Sequence, residues 1–486
     1  MIPDIDTVNI EAVTPQLDGG RYPVKRVVGD VLQVEADIFT HGHNVVQAVL
    51  LHRTAGQERW DEVPMEPLEN DRWRGRLRLE RIATYQYTVL AWRDPFLSWC
   101  SDLAKKHAAG QDLTSDLLEG MQIVEQVLPR ATEPDRARLE QLLRFFDRQV
   151  TPATAADRAL EALETLEQRA RRGEPLDPPL QELRRLLGGL AAGRKLLGPD
   201  EDPVAEVILG DELRYLMARY PDRSDQGRLD RVLEVRVERT GAGFASWYEM
   251  FPRSQGTSPD RSATFADMER RLDEIQAMGF DVLYLPPIHP IGHTNRKGPN
   301  NSLVCPPGSP GCPYAIGDAT GGHTAIHPEL GTLDDFRGFE RACRERGMEI
   351  ALDLALQTSP DHPWVTEHPE WFARRPDGTI KYAENPPKKY EDIYPLDFNT
   401  RDREGLWRAV LDVVRFWIEQ GVRIFRVDNP HTKPVHFWEW LIAQVQRTDP
   451  DVLFLAEAFT RPKMMKLLAK VGFTQSYTYF TWRNFK

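Results

Sequence analysis

The sequence predicts a multidomain fold: an N-terminal β-sandwich, a helical bundle, and an incomplete (β/α)8 TIM barrel with a lobe inserted after its third strand. Changes of pattern along the chain support this prediction. Short segments with period-two alternation come first, apolar residues at helical spacing follow, and strands that alternate with helices fill the remainder. The 486 residues are sufficient for two to four domains.

Residues 1–96 are predicted to form the sandwich. Apolar and polar residues alternate in 31–37, 48–52 and 85–92, and Gly, Pro and Asn-Asp separate these runs. Alternation at nearly regular spacing is typical of the half-buried strands of a small sandwich.

Residues 97–222 are rich in Leu, Ala, Glu and Arg and contain few β-branched residues. Apolar residues recur at helical spacing in 135–150 and 155–172, and breaks follow at 175–179 and 198–200. This pattern predicts a helical bundle at or beside the sandwich.

The barrel, residues 233–486, is predicted from the alternation of strands and helices. Strands are expected at 243–248, 282–285, 349–353, 422–427, 453–457 and 476–481, and helices at 264–277, 333–346, 402–419 and 436–445. The segment 358–396, rich in prolines and charges, is too long for a simple connection. It is therefore predicted to form a lobe over the barrel mouth.

Two consecutive barrel strands end in a carboxylate, Asp428 in one and Glu457 in the next. Because the carboxyl ends of parallel strands meet at one edge of a barrel, these side chains can lie a few ångströms apart. Paired carboxylates at such a distance break a glycosidic bond or another acetal at the anomeric carbon of a sugar. A single acid of this kind is often only a helix cap. Here, however, Arg426 lies on the same face as Asp428 and would keep it ionised.

The segments around these carboxylates resemble a known family. Arg426-Val-Asp428 and Phe454-Leu-Ala-Glu457 are similar to the nucleophile and acid/base strands of the α-amylase superfamily, glycoside hydrolase family 13. Five further segments, and with them the whole chain, resemble the maltose-1-phosphate maltosyltransferases of the GlgE type. They are 295–301 (NRKGPNN), 355–362 (ALQTSPDH), 382–390 (YAENPPKKY), 428–434 (DNPHTKP) and 476–482 (SYTYFTW). In the superfamily, the inserted lobe is a B domain.

The resemblance implies a retaining glycosyltransferase of glycogen or α-glucan biosynthesis. Asp428 would be the nucleophile and Glu457 the general acid/base. The reaction would move maltosyl from α-maltose 1-phosphate to the non-reducing end of an α-1,4-glucan and release phosphate. The positions implied to bind the sugar donor are Lys297, Gln357, Asp392, Arg426 and Asn429, and those implied to bind its phosphate are Asn385, Lys388 and Tyr390. The sandwich and the bundle are implied to form a homodimer interface.

Some of these assignments have plain alternatives. The amide, ammonium and phenol of Asn385, Lys388 and Tyr390 can donate several hydrogen bonds to an anion. A solvated turn rich in lysine would have the same composition, and it is the resemblance that favours the phosphate. His323 and His362 are weaker candidates for the same pocket, because a single histidine is more often structural.

The sequence departs from the resemblance at two positions and at its end. Gln357 lies where the superfamily commonly has Asn-His, and the maltosyltransferases also carry Gln at this position. Cys312 stands where Ser or Val is expected beside the sugar donor. The third essential carboxylate of the superfamily follows a later strand than those counted here, whereas residues 458–486 contain no Asp or Glu. We therefore expect a chain truncated at its C-terminus, without the C-terminal β-domain, that is inactive or impaired.

The net charge of -12 argues against nucleic acid or an anionic membrane as a partner. No apolar run approaches the length of a membrane span. The four cysteines have neither metal-site spacing nor the density of a disulfide scaffold. We expect a soluble cytoplasmic protein that uses no metal and no cofactor. The alternatives left open are an α-amylase-type hydrolase, a trehalose-related isomerase, and a non-catalytic glycan-binding or dimerisation protein.

Overall fold

The computed structural model describes residues 7–150, 207–258 and 261–478. Within them the chain forms a β-sandwich, a group of helices that lies between two strands of the sandwich in the sequence, and a parallel sheet. Several predicted features lie outside the described residues: the helix at 155–172, the breaks at 175–179 and 198–200, and residues 479–481 of the last predicted strand.

The sandwich consists of two sheets built from short strands. The strands are β1 (Val8–Thr14), β2 (Val24–Val27), β3 (Val31–Thr40), β4 (Val46–Thr54), β5 (Asp61–Pro64), β6 (Glu66–Pro67), β7 (Arg72–Arg78), β8 (Ala83–Arg93), β9 (Gly227–Arg228) and β10 (Leu233–Glu238). One sheet has the order β1-β3-β7-β6, and the other has the order β2-β10-β8-β4-β5 with β9 beside β8. Alternate residues of β3 enter the core between the sheets, as its period-two pattern predicts: Leu32, Val34, Ala36 and Ile38.

The sandwich extends further along the chain than the sequence suggests. The sequence pattern predicts that the barrel begins at residue 233, but β10 lies between β2 and β8 in the second sheet of the sandwich. Leu233, Val235 and Val237 are buried in the sandwich core, and the charged residues between them face away. This alternation fits a sheet with one covered face, whereas a barrel strand is apolar on both faces.

The helices of the second region pack around aromatic side chains. They are α1 (Pro95–Ala108), α2 (Thr114–Glu125), α3 (Glu133–Val150) and α4 (Asp211–Ala218). Trp99 of α1 stacks on Phe146 of α3 with ring centroids 6.0 Å apart. Gly120 of α2 lies so close to this indole that any side chain there would collide with it.

The C-terminal half of the chain is built on a six-stranded parallel sheet. Its strands, in spatial order, are β11 (Trp247–Glu249), β12 (Val282–Leu285), β13 (Glu349–Leu354), β18 (Ile424–Val427), β19 (Leu453–Ala456) and β20 (Gln475–Ser476). The helices of this half are α5 (Phe265–Glu269), α6 (Leu272–Ala277), α7 (Leu333–Glu345), α9 (Arg403–Glu419), α10 (Val435–Thr448) and α11 (Pro462–Lys470). All residues of β12, β18 and β19 are buried, as expected for parallel strands covered on both faces.

The inserted lobe lies between β13 and α9. It contains α8 (Pro363–Glu367) and two antiparallel pairs of short strands. The first pair is β14 (Gln357–Thr358) with β17 (Tyr394–Pro395), and the second is the hairpin of β15 (Ala383–Asn385) and β16 (Lys388–Tyr390). Throughout the part of the chain that the structure describes, each helix is too short or too polar to cross a membrane.

Candidate active site

Three carboxylates lie around one arginine at the C-terminal edge of the parallel sheet. The guanidinium nitrogens of Arg426, on β18, lie 3.0 Å from Asp353, 3.0 Å from Asp428 and 2.9 Å from Glu457, measured to the carboxylate oxygens. Asp353 is on β13, whereas Asp428 and Glu457 directly follow β18 and β19. These strands are neighbours in the sheet, so their carboxyl ends bring the three acids to one place.

Asp428 is fixed through both of its carboxylate oxygens. Arg426 Nη1 donates to Oδ1 at 3.0 Å, and Asn429 Nδ2 donates to Oδ2 at 3.3 Å. The backbone N–H of Asp428 also donates to the Leu354 carbonyl of the neighbouring strand at 3.1 Å. The contact with Arg426 agrees with the expectation that the two side chains share one face of the strand.

Glu457 is held by two hydrogen-bond donors and has a shifted pKa. Burial raises the pKa of Glu457 to about 7 in spite of the charge of Arg426, and the nearby Asp428 carboxylate adds to the rise. One carboxylate oxygen accepts from Arg426, and the other accepts from the backbone N–H of Asn429 at 3.3 Å. A carboxyl group with a pKa near neutrality can both deliver and remove a proton at physiological pH.

Asp353 is a site residue that the sequence analysis did not assign. Its side chain is fully buried, and it accepts hydrogen bonds from the hydroxyls of Tyr284 at 2.5 Å and Tyr314 at 3.0 Å. Burial raises the pKa of Asp353 to about 7, although the charge of Arg426 opposes the rise. Because Asp353 contacts Arg426 from beneath the cavity surface, it orients the arginine. The sequence signal that could have identified Asp353 is its partner Tyr284, the single polar side chain in the otherwise aliphatic strand β12.

A cavity of about 870 Å³ opens above these side chains, a size suited to a small sugar ligand. Most of the predicted site residues line it: Gln357, Asn385, Tyr390, Asp392, Arg426, Asp428, Asn429 and Glu457. Lys297 and Lys388 are not part of the lining. Cys312 is, so a thiol borders the cavity at the position where the sequence departs from the resemblance.

Lys297 lies behind the cavity wall. Only 5% of its side chain is exposed, and its Nζ is 3.5 Å from Glu391 Oε2. The next residue, Asp392, lines the cavity, and burial raises the pKa of Asp392 against the opposing charge of Lys297. A lysine in a surface loop without a function is rarely buried to this extent.

The hairpin of β15 and β16 presents the predicted phosphate residues on one face. Asn385 pairs with Lys388, and Ala383 pairs with Tyr390. Paired residues, and residues two apart in a strand, share a face of a sheet. Asn385 and Tyr390 reach the cavity, and Lys388 is exposed beside Asn385.

Lys433 also lines the cavity, although it was not predicted as a site residue. Its Nζ donates to the backbone carbonyls of Asp428 at 3.4 Å and Asn429 at 3.3 Å. Burial lowers the pKa of Lys433 to about 8. Its place in the turn that directly follows Asp428 was the signal that could have identified it.

His323 and His362 have a structural role. Both are buried, their ring nitrogens are 3.1 Å apart, and neither lines the cavity. Burial lowers the pKa of His323 to about 4 and that of His362 to about 2, so both rings are neutral.

One group of side chains in the described residues has the spacing of a metal site: His368, Glu370 and Asp402, on the surface of the lobe. Asp402 is already engaged, because its oxygens accept from Trp371 Nε1 and from the backbone N–H of Gly405 at the start of α9. This group is separate from the carboxylate cluster that Asp353, Asp428 and Glu457 form around Arg426.

The comparisons with known proteins agree with this geometry. A family model described as "Alpha-1,4-glucan:maltose-1-phosphate maltosyltransferase, domain N/S" matches residues 6–176, and one described as "Alpha amylase, catalytic domain" matches residues 249–433. A maltosyltransferase of the same description from Cereibacter sphaeroides is 47% identical over 99% of this chain, which covers 72% of that relative. The chain belongs to the α-1,4-glucan:maltose-1-phosphate maltosyltransferase family. The resemblance seen in the motifs is thereby confirmed.

Two further members of the maltosyltransferase family are similarly close. The protein from Rhodospirillum rubrum is 49% identical over 100% of this chain, and the protein from Myxococcus xanthus is 49% identical over 99%. The chain spans 66% of the length of each of these two relatives.

Proposed function

We propose that the protein moves a maltosyl group from α-maltose 1-phosphate to the non-reducing end of an α-1,4-glucan and releases phosphate, in glycogen or α-glucan biosynthesis. The observation that carries this proposal is the shared arginine. Arg426 holds Asp428 and Glu457 side by side, and the pKa of Glu457 is raised to about 7. Relatives that bear the name of this activity match the whole chain.

In the first step, an oxygen of Asp428 attacks the anomeric carbon, and the bond from that carbon to the phosphate oxygen breaks. Glu457 delivers its proton to the departing oxygen, so phosphate leaves with that proton and a maltosyl ester of Asp428 remains. The hydrogen bonds at both oxygens of Asp428 fix the attacking group before the sugar binds.

In the second step, the 4-hydroxyl of the terminal glucose of the acceptor attacks the same carbon. Glu457, now ionised, takes the hydroxyl proton, and the ester bond to Asp428 breaks. Two displacements at one carbon retain its configuration, so the product is an α-1,4-glucan longer by one maltosyl unit.

The hairpin and the buried wall of the cavity supply the contacts to the sugar donor. Asn385, Lys388 and Tyr390 offer an amide, an ammonium and a phenol on one face, which suits a phosphate group. Asp392, Gln357 and Asn429 line the same cavity, where they can bind sugar hydroxyls. Lys297 supports this wall through Glu391.

The test is incubation with α-maltose 1-phosphate and maltohexaose, followed by phosphate measurement and product lengths from mass spectrometry. Two preparations are compared: the chain itself, and a chimera in which this chain replaces the corresponding segment of the Rhodospirillum rubrum relative. We expect phosphate release to match the formation of glucans longer by two glucoses. Free maltose in place of longer glucans would indicate a hydrolase, and oligosaccharide binding without phosphate release in either preparation would indicate a non-catalytic protein.

A cytoplasmic homodimer joined through the sandwich and the helices is the remaining part of the proposal. Its support is the amphipathic pattern of the helical region. Sedimentation at equilibrium tests it, with twice the chain mass as the expected result.

A further inference from the structure

A turn at the start of the lobe, residues 359–362, is locked against two neighbouring loops. The backbone N–H of Ser359 donates to the Ile316 carbonyl at 2.7 Å, and the Ser359 hydroxyl donates to the Gly317 carbonyl. Gly292 packs on Ser359 so closely that a Cβ at position 292 would lie 2.3 Å from the Ser359 Cβ. The turn is therefore a fixed point in the structure.

Asp361 extends from this turn to a second one at residues 293 and 294. Its Oδ2 accepts from the backbone N–H groups of His293 at 2.6 Å and Thr294 at 2.7 Å, and its Oδ1 accepts from the Thr294 hydroxyl at 2.6 Å. Burial opposes the ionisation of Asp361, but these hydrogen bonds hold its pKa below the ordinary value. The carboxylate thus restrains both backbone donors of the second turn.

The chain passes directly from that second turn to Lys297. Asn295, in the left-handed region with φ of 57°, donates from Nδ2 to the Glu391 carbonyl at 3.3 Å. The Lys297 ammonium then meets the Glu391 carboxylate at 3.5 Å. The path of the chain to Lys297 is therefore restrained at the turn by Asp361 and at the cavity wall by Glu391.

We propose that Asp361 is a positioning residue of the sugar-donor site. By holding the turn at 293 and 294, it sets the point from which Lys297 reaches the wall beside Asp392. Asp361 does not line the cavity, so it acts through Lys297 and does not touch the sugar. This inference rests on the proposed function, in which Lys297 supports the wall of the sugar-donor site through Glu391.

The test is a double-mutant cycle in the preparation that releases phosphate from α-maltose 1-phosphate. Asp361→Ala should raise the KM for this donor roughly tenfold and change kcat by less than about twofold, because ground-state binding is lost. Lys297→Ala should raise the KM at least as much, and adding Asp361→Ala to it should have no further effect. Asp361→Asn keeps an acceptor for both N–H groups and can donate to the Thr294 hydroxyl, so its KM should stay within about twofold of the wild-type value.

Asp377→Ala is the matched control. Asp377 caps Thr379 in the same lobe with the same chemistry, accepting from its backbone N–H at 3.0 Å and its hydroxyl at 2.7 Å. Among the described residues it makes no hydrogen bond or ion pair with the turn at 293 and 294, so its loss should leave the KM unchanged. An unchanged KM in Asp361→Ala, or effects of Asp361→Ala and Lys297→Ala that simply add, would overturn the inference.

A second readout separates this inference from the proposed function. If neither wild-type preparation releases phosphate, the proposed function fails, but amide hydrogen exchange still tests the role of Asp361. Asp361→Ala should speed exchange at His293 and Thr294, while Asp361→Asn and Asp377→Ala should not. Equal protection of these amides in Asp361→Ala and wild type would overturn the inference whatever the activity.

Discussion

The carboxylate cluster is buried and the lobe hairpin is exposed to solvent, but both contribute residues to the same cavity. Asp353, Asp428 and Glu457 end or follow buried strands of a six-stranded sheet, and each contacts Arg426. The hairpin is a pair of three-residue strands at the surface, and Lys388 is exposed to solvent. The first region is set by the sheet, whereas the second depends on a small lobe.

In the proposed function, the carboxylate cluster performs the chemistry and the hairpin binds the phosphate of the sugar donor. In a buried cluster, charges interact strongly and pKa values move far from their ordinary range, as Glu457 and Asp353 show. At an exposed hairpin, water and salt weaken each charge. We therefore expect substitutions in the cluster to change the rate, the stability and their pH dependence, and substitutions in the hairpin to change mainly the KM for the sugar donor.

The largest effect is expected at Asp428, the proposed nucleophile. Asp428→Asn should lower kcat for maltosyl transfer on the order of 10⁴-fold or more, because an amide cannot form the ester intermediate. Phosphate release measures the loss, and the exposed substitution Asp412→Asn on α9 is the control for a surface change of the same type. A variant at Asp428 that keeps more than about a hundredth of the wild-type rate would contradict the assignment.

The second effect concerns the stability of the cluster. Arg426→Met leaves three carboxylates without their shared cation, and we expect the free energy of unfolding to fall by about 3 kcal/mol. Urea denaturation measures it. Arg408→Met, which breaks an exposed ion pair with Glu404 on α9, should cost less than about 1 kcal/mol. Equal losses in the two variants would remove the distinction between buried and exposed charges.

The third effect is a pH dependence at Glu457. Its pKa is raised in the folded protein from 4.5 to about 7, so the stabilisation from its protonated form is complete below about 4.5 and is lost as pH rises through 7. Relative to Glu457→Gln, the wild type should therefore lose about 1 to 2 kcal/mol of unfolding free energy between pH 4.5 and pH 8, after allowance for partial exposure. Urea denaturation of both proteins at several pH values gives the difference. If the difference in unfolding free energy between the two proteins did not change with pH, or favoured the wild type more at high pH, the raised pKa of Glu457 would be contradicted.

The smallest effect is expected in the hairpin. Lys388→Ala should raise the KM for α-maltose 1-phosphate by about fivefold with little change in kcat, and the effect should shrink as salt is added. Lys389→Ala is the matched control, because successive residues of a strand point to opposite faces. Steady-state kinetics of the two variants would contradict the phosphate assignment if both KM values moved equally.

Much of the fold follows from local patterns. The strands and helices of the C-terminal half lie close to the predicted positions, because periodicity shows directly which faces are buried. The place of β10 could not be read in this way. Its partners β2 and β8 are far away in the sequence, and alternation shows that a strand has one covered face without showing which sheet it joins.

In the site, too, local patterns do not show which distant residues meet. Asp428, Glu457 and Arg426 could be found because each is next to a recognisable strand end. The hydrogen bonds to Asp353 come from Tyr284 and Tyr314, and the burial of Lys297 depends on Glu391, so these relations arise only in the folded chain. No spacing in the sequence relates such residues to each other.

The covalent intermediate on Asp428 tests the central claim most directly. In a preparation that releases phosphate from α-maltose 1-phosphate, the protein is incubated with 2-deoxy-2-fluoro-α-maltosyl fluoride, whose fluorine at C2 slows turnover of a glycosyl ester. Peptide mass spectrometry then locates the label. The account predicts one fluoromaltosyl group on Asp428, absent in Asp428→Asn. A label on another carboxylate, or an active protein that never becomes labelled, would contradict it.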